Sequence, residues 1–190
     1  MATEITVGIA GAAGDGLDKT GDTLARTAAR LGLHVFAYNS YQSLIRGGHT
    51  WLRIRMAEEK VACHGDRLSV LIALNEDSIE RHARQVEPGG AILYNSSRLA
   101  CDSSLVPEGV QVAALPLREI TKDLGKLLPV MQNTVALGAP LHLIGFDIEV
   151  TAGLVAGTFK HKGAEVIEQN VKVLRAGYDY AVKELKPLGY

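Results

Sequence analysis

"ITVGIAGAAGDGLDKTGDTLARTAARLG", residues 5–32, decides how the rest of the chain is read. It opens with a β-branched apolar run ending at Gly11, the pattern of a strand buried in a parallel sheet. Gly8, Gly11, Gly14 and Gly16 follow at short intervals. From Leu17 the period changes from two to between three and four. Leu17, Leu24, Ala25, Ala28 and Leu31 fall on one face of a helix, and Gly32 supplies its stop. With "HVFAYN" (34–39) as the next strand, the first sixty residues read as a βαβ unit.

The same cadence continues. "WLRIRM" (51–56) alternates apolar and charged residues, like a strand with one wet face, and "LSVLIALN" (68–75) reads as a buried strand. "EDSIERHARQV" (76–86) has helical spacing and is stopped by "EPGG"; "AILYN" (91–95) is another strand. Two helices are expected within 129–145 and 149–159. A long amphipathic helix is expected between Glu165 and Leu185, with Ile167, Val171, Leu174, Tyr178, Ala181 and Leu185 as its apolar stripe. The expected fold is a Rossmann-like three-layer α/β/α sandwich around a mostly parallel or mixed sheet, in one domain over residues 1–190.

Composition narrows the function classes. The chain has 190 residues, 47% of them apolar, and a formal net charge of −1. That size supports a real core. Near-neutrality lacks the basic footprint of a nucleic-acid binder, and no apolar run approaches the roughly 20 residues of a membrane span. Cys63 and Cys101 stand apart, whereas an iron–sulfur cluster takes about four thiolates. Two separate thiols and no export signal point to a reducing cytoplasm.

The glycine turn suits an anion, because glycines let backbone approach a phosphate and a helix start carries partial positive charge. Three familiar templates each miss. A dinucleotide GxGxxG beginning at Gly14 would need glycine where Lys19 stands, and an acidic ribose ligand where the chain has Asn39 and Ser40. The P-loop GxxxxGK[ST] meets Lys19-Thr20 but finds Asp18 in place of its last glycine. Gly14-Asp15-Gly16 followed by Asn39 has the rough spacing of a thiamine diphosphate motif, but the match is short. A purely structural tight turn stays open beside the anion site, and the Asp15 carboxylate opposes a phosphate unless it points away.

"YNSYQSLIRGGHTWLRIR" (38–55) is rich for a connection. Gly47-Gly48 can bring backbone close to a ligand, and Arg46 offers a planar fork for carboxylate or phosphate. In a βαβ fold this segment shares the carboxyl rim with the glycine turn, so 11–16 and 41–49 are expected to line one cleft. Taken alone, Arg46 reads as a surface ion pair and His49 as a structural histidine. Cys63 and His64 are adjacent, so on a strand they point to opposite faces and form no nucleophile–base pair.

Four stretches, "GIAGAAGDG", "HVFAYNSYQSLIRGGHTWLRIR", "NTVALGAPLHLIGFD" and "FKHKGAEVIEQNVKVLRAGYDYA", in this order and spacing, resemble the gamma subunit or gamma domain of the 2-oxoacid:ferredoxin oxidoreductases. That family includes the pyruvate, 2-oxoglutarate and indolepyruvate enzymes. Tyr41, Ser43, Arg46, Gly47, Gly48 and His49 are especially similar to gamma domains fused in front of an alpha domain. The chain departs from the family's usual glutamine at Asp15 and proline at Gln42.

The resemblance implies a subunit, inactive alone, of an enzyme that turns a 2-oxoacid into acyl-coenzyme A and CO2 while reducing ferredoxin. It implies contact with coenzyme A, with Gly11, Gly14, Asp15, Gly16, Ser43, Arg46, Gly47 and Gly48 as candidates, and no catalytic or metal-binding residue in this chain. Thiamine diphosphate and iron–sulfur clusters are expected on alpha- and beta-type partners, with a delta-type subunit also in view. Ferredoxin or flavodoxin is served indirectly, and the isolated chain is expected to self-associate into a homodimer. A free-standing nicotinamide-dependent oxidoreductase and a non-catalytic nucleotide-binding assembly module are the alternatives.

Overall fold

The computed structural model describes residues 4–40, 47–125 and 131–190. Six strands form one mixed sheet: β1 (Glu4–Ala12), β2 (His34–Ser40), β3 (His49–Ala57), β4 (Leu68–Ala73), β5 (Val86–Asn95) and β6 (Gln111–Leu115), in the spatial order β2-β3-β1-β4-β5-β6. β1, β4, β5 and β6 run parallel, while β3 is antiparallel to both β1 and β2. The expected βαβ unit is therefore opened: β2 runs in the direction of β1 but is not its neighbour, because β3 is inserted between them. The nine-residue pairing from Glu4↔Ala57 to Ala12↔His49 holds that insertion.

Alternation along the strands sorts the core. Ile5, Val7 and Ile9 of β1, with Leu52, Ile54 and Met56 of β3, face one side and are buried. That side is covered by α1 (Leu17–Arg30), α4 (Met131–Leu143), α5 (Ile148–Thr158) and α6 (Ala164–Glu184), with α3 (Leu117–Ile120) as a short turn at the end of β6. The opposite side carries a smaller core of Ala10, Leu68, Leu71, Ala73, Ile79, Ala83, Val86 and Ile92 under α2 (Glu76–His82). The result is a three-layer α/β/α arrangement with one thick and one thin helical layer.

The supposedly wet face of β3 is partly covered. Arg53 is buried, donating to the Gly65 carbonyl and to Gln85 Oε1, each at 2.6 Å. Arg55 makes a bidentate pair with Glu4 at 2.9 Å and a contact from its guanidinium to Cys63 Sγ at 2.9 Å. His64 bonds the Gly65 carbonyl at 2.7 Å, so Cys63 and His64 serve different partners. On α1, Thr20, Gly21 and Thr27 join Leu17, Leu24 and Ala28 in the buried face, while Leu31 is exposed.

α4 and α6 touch backbone to backbone. A Cβ at Gly177 would lie 2.0 Å from the Val135 carbonyl oxygen, and one at Gly138 would lie 2.2 Å from the Leu174 oxygen. This approach rotates the buried face of α6 toward Asn170, Val173, Leu174, Gly177 and Ala181 and leaves Ile167, Val171 and Tyr178 half-buried. Asn170 is tolerated inside because its amide donates to the Val166 carbonyl at 2.8 Å. Among the described residues no helix is long and apolar enough to cross a membrane.

Two helical glycines should therefore respond oppositely to alanine. Gly177→Ala forces α4 and α6 apart and is expected to cost about 3 kcal/mol, the upper end for overpacking. Gly153 in α5 is exposed with open space around its Cβ position, so Gly153→Ala should stabilise by about 0.5–1 kcal/mol. Urea midpoints of the two variants check both signs.

Candidate functional site

The glycine turn is held closed by its own aspartate. Asp15 Oδ2 accepts from the Ala12 N–H at 2.8 Å, and the Asp15 N–H donates to the Ala12 carbonyl at 3.0 Å. The carboxylate folds back over Gly11, where a Cβ would meet Asp15 Oδ2 at 2.9 Å and Leu74 Cβ at 3.1 Å. Gly16, at φ 81°, occupies the N-cap position of α1, so this helix starts without a side-chain cap. Asp15 thus supports the turn that leads into an uncapped helix start.

Residues 47 and 48 meet the other side of the same turn. The Ala13 N–H donates to the Gly48 carbonyl at 2.8 Å, and the Gly47 N–H donates to the Ala13 carbonyl at 3.2 Å. Gly11, Gly14, Asp15, Gly16, Gly47 and Gly48 are consequently neighbours on one rim. Ser43 and Arg46, with Tyr41, lie outside the described residues.

Topology opens a crevice beside this rim. From β1 the chain passes through α1 on the thick side toward β2; from β4 it passes through α2 on the thin side toward β5. The chain diverges between β1 and β4, and ligands of open α/β sheets bind outside the carboxyl ends at such a point. A cavity of about 390 Å³ lies there, bounded by Gly14, Asp15 and Gly16, by Leu74 after β4, and by Tyr94, Asn95 and Arg98 at the end of β5. Its size falls in the usual range for small-molecule sites, with an apolar floor and few polar groups.

Tyr94, Asn95 and Arg98 were not singled out from the sequence. Their signal was the run "YNSSR" at the carboxyl end of a buried strand, to which the same rule applies as at the end of β1. Asn95 shapes the bend by accepting from the Ser97 N–H at 3.0 Å, and Arg98 stands exposed at the mouth. Burial, with Cys101 nearby, pushes the Tyr94 phenol up; burial and Asp102 push the Cys101 thiol up. Both stay protonated at neutral pH, so Cys101 makes a poor nucleophile.

The residues that tempted a nucleotide reading are engaged elsewhere. Asn39 donates to Asp18, tying the end of β2 to the start of α1. Lys19 sits over the Phe159 ring, 4.3 Å from its centroid, and lines a separate hollow of about 260 Å³ between α1, α4, α5 and α6. Lys19 is therefore not part of the crevice lining. Among the described residues no group of three or more His, Cys, Asp or Glu side chains converges as a metal site.

Comparison with known proteins agrees with this architecture. The sequence profile of the family described as pyruvate ferredoxin/flavodoxin oxidoreductase matches residues 6–180. Ketoisovalerate oxidoreductase subunit VorA of Methanothermobacter marburgensis is 32% identical over 186 residues, covering 96% of this chain and 38% of that subunit. The 2-oxoglutarate synthase subunit KorC of Archaeoglobus fulgidus is 26% identical over 188 residues, covering 98% of this chain and 93% of its own length. Among solved structures, the 2-oxoglutarate:ferredoxin oxidoreductase from Magnetococcus marinus, with 2-oxoglutarate, coenzyme A and succinyl-CoA bound, superposes with a TM-score of 0.86 at 28% identity. That match covers 96% of this chain and 32% of the larger one. The chain thus spans about a third of the length of these longer relatives and nearly the whole of the KorC subunit. On the family match and these likenesses, the chain belongs to the pyruvate ferredoxin/flavodoxin oxidoreductase family.

Proposed function

We propose that residues 1–190 form a single gamma-type unit of a multi-subunit 2-oxoacid:ferredoxin oxidoreductase. In this reading the complex converts a 2-oxoacid and coenzyme A into acyl-coenzyme A and CO2, and the two electrons released pass to ferredoxin or flavodoxin. Thiamine diphosphate and the iron–sulfur clusters would be held by alpha- and beta-type partners, with a delta-type subunit where one exists, and the assembly would work in the cytoplasm. The observation that carries the reading is the crevice at the β1/β4 divergence, framed by the glycine turn and by Arg98.

That crevice suits one part of a long carrier. The start of α1 at Gly16, which has no side-chain cap, presents backbone N–H groups to an anion, and Asp15, bonded to Ala12, supports the turn that leads into it. Arg98 adds an exposed guanidinium at the mouth, and Arg46 would add a second from the neighbouring connection. The apolar walls at Leu74, Leu99 and Leu117 would shield an uncharged arm from water. The presence of coenzyme A in the Magnetococcus marinus relative supports this assignment. In this reading the chain binds and orients the carrier while partners carry the redox steps.

Two outcomes follow. Calorimetric titration of the assembled complex with coenzyme A should show binding that weakens about tenfold, or 1.4 kcal/mol, in Arg98→Ala. Arg46→Ala should lower it similarly while leaving assembly intact; unchanged affinity in both variants removes the crevice from the carrier's path. The chain purified alone should show no 2-oxoacid-dependent reduction of a low-potential dye, and addition of the alpha- and beta-type partners should restore it. Robust activity of the chain by itself, or micromolar binding of a nicotinamide dinucleotide to it, would favour the free-standing oxidoreductase instead.

A further inference from the structure

On the thin side of the sheet, five side chains form a line from β3 to α2. Arg53 donates to Gln85 Oε1 at 2.6 Å; that same oxygen lies 3.1 Å from His82 Nδ1; His82 Nε2 and His49 Nε2 are 2.9 Å apart; and His49 Nδ1 lies 3.0 Å from Asp77 Oδ2. His82 is buried, and the His49 side chain is only 10% exposed. The two rings stack with centroids 5.1 Å apart.

The donors and acceptors along this line can be assigned in order. Arg53 has only donors, so the Gln85 group facing it is the carbonyl oxygen. His82 Nδ1 bonds that oxygen and therefore carries a proton. A neutral His82 then offers a bare Nε2, and His49 Nε2 must be the donor between the rings. One nitrogen remains. His49 Nδ1 is buried with no aligned hydrogen bond, although the Asp77 carboxylate is beside it.

We propose that His49 Nδ1 is a single-proton acceptor site whose occupancy sets how the 47–49 segment is anchored to α2, with Arg53, Gln85 and His82 as positioning residues that fix its tautomer. Empty, the His49 ring is held at one end, by His82. Filled, it is held at both ends, because the charged ring then pairs with the Asp77 carboxylate 3.0 Å from Nδ1. His49 follows Gly48, whose carbonyl is bonded by Ala13, so the anchorage is transmitted to the glycine turn. The proton site stands independently of the reading above; only its consequence for the grip on the carrier rests on that reading.

Burial sets the direction for both rings, and the charged groups around the pair modify it. Burial lowers the pKa of both rings, and Arg81 opposes protonation of both. Arg53 adds to this at His82, and its own nearest carboxylate influence is Asp66; Asp77 alone raises His49, and it is shared with Arg81 at 2.7 Å. Trp51 closes the site edge-on against His82 and His64. With folded values below the ordinary imidazole value of about 6.5, the neutral pair contributes stability present above that value. This contribution is lost as pH falls through the folded values.

Long-range imidazole ¹H–¹⁵N spectra of the uniformly labelled 190-residue chain, taken from about pH 8 to pH 5 where histidines titrate, test this without any ligand. The expected result is opposite tautomers at the upper end, Nδ1–H on His82 and Nε2–H on His49. On acidification His49 Nδ1 should gain the first proton, and the amides of Ala13, Gly47 and Gly48 should shift with the same midpoint. Asp77→Asn should lower that midpoint, and Gln85→Met should release His82 toward the Nε2–H form. Identical tautomers in the two rings, or glycine-turn amides that ignore the His49 midpoint, would overturn the proposal.

Discussion

The insertion of β3 between β1 and β2 is the constraint on which the rest depends. Nine paired positions along β1 fix β3 in register, and this register delivers His49 opposite Ala12 at the carboxyl rim. Gly47 and Gly48 are thereby carried onto Ala13, and the glycine turn becomes a two-sided structure rather than a free loop. A one-residue slip would exchange the faces of β3, burying Arg53 and Arg55 in the apolar core and exposing Leu52, Ile54 and Met56. The apolar pattern of β3 therefore protects the geometry of the rim as well as the core.

The two sides of the sheet are built by different means. The thick side relies on apolar burial and on the close approach of α4 and α6 through Gly138 and Gly177, which turns a polar residue, Asn170, inward. The thin side has a small apolar core beside a polar and aromatic cluster of Tyr38, Trp51, His49, His82, Arg53 and His64. Such a cluster is favourable only when its donors and acceptors are matched, which is why the Arg53–Gln85–His82 line has a defined direction. Both sides converge on the β1/β4 divergence, where the crevice opens.

Much of this was legible in the sequence because apolar periodicity speaks directly to burial. The runs at 5–11, 34–39, 51–56 and 68–75 became strands, and the helices within 129–145, 149–159 and 165–185 formed close to their expected limits. Pairing order was not legible, since alternation in β3 reports one buried face but not which strands flank it. The α6 stripe was displaced because glycine and asparagine carry no apolar signal, yet they occupy the contact where backbones meet. Val112 and its neighbours in β6 had too short an apolar run to stand out. At the site, the glycines and the 47–48 pair were legible through their conformational freedom. Tyr94, Asn95 and Arg98 were passed over although the carboxyl-end rule reaches them, and the histidine pair was hidden because His49 and His82 meet across 33 residues.

An inserted strand also orders assembly in time. β2 emerges during synthesis before the strand that must separate it from β1, so it has no seat until residues 49–57 follow. The short separation of β2 and β3 makes their antiparallel ribbon the cheaper closure, and docking that ribbon on β1 spans a longer loop. The backbone clasp between Ala13 and the two glycines needs β1 and β3 both in place. A nascent chain halted before residue 49 would hold a helix and two strands without the strand that joins them.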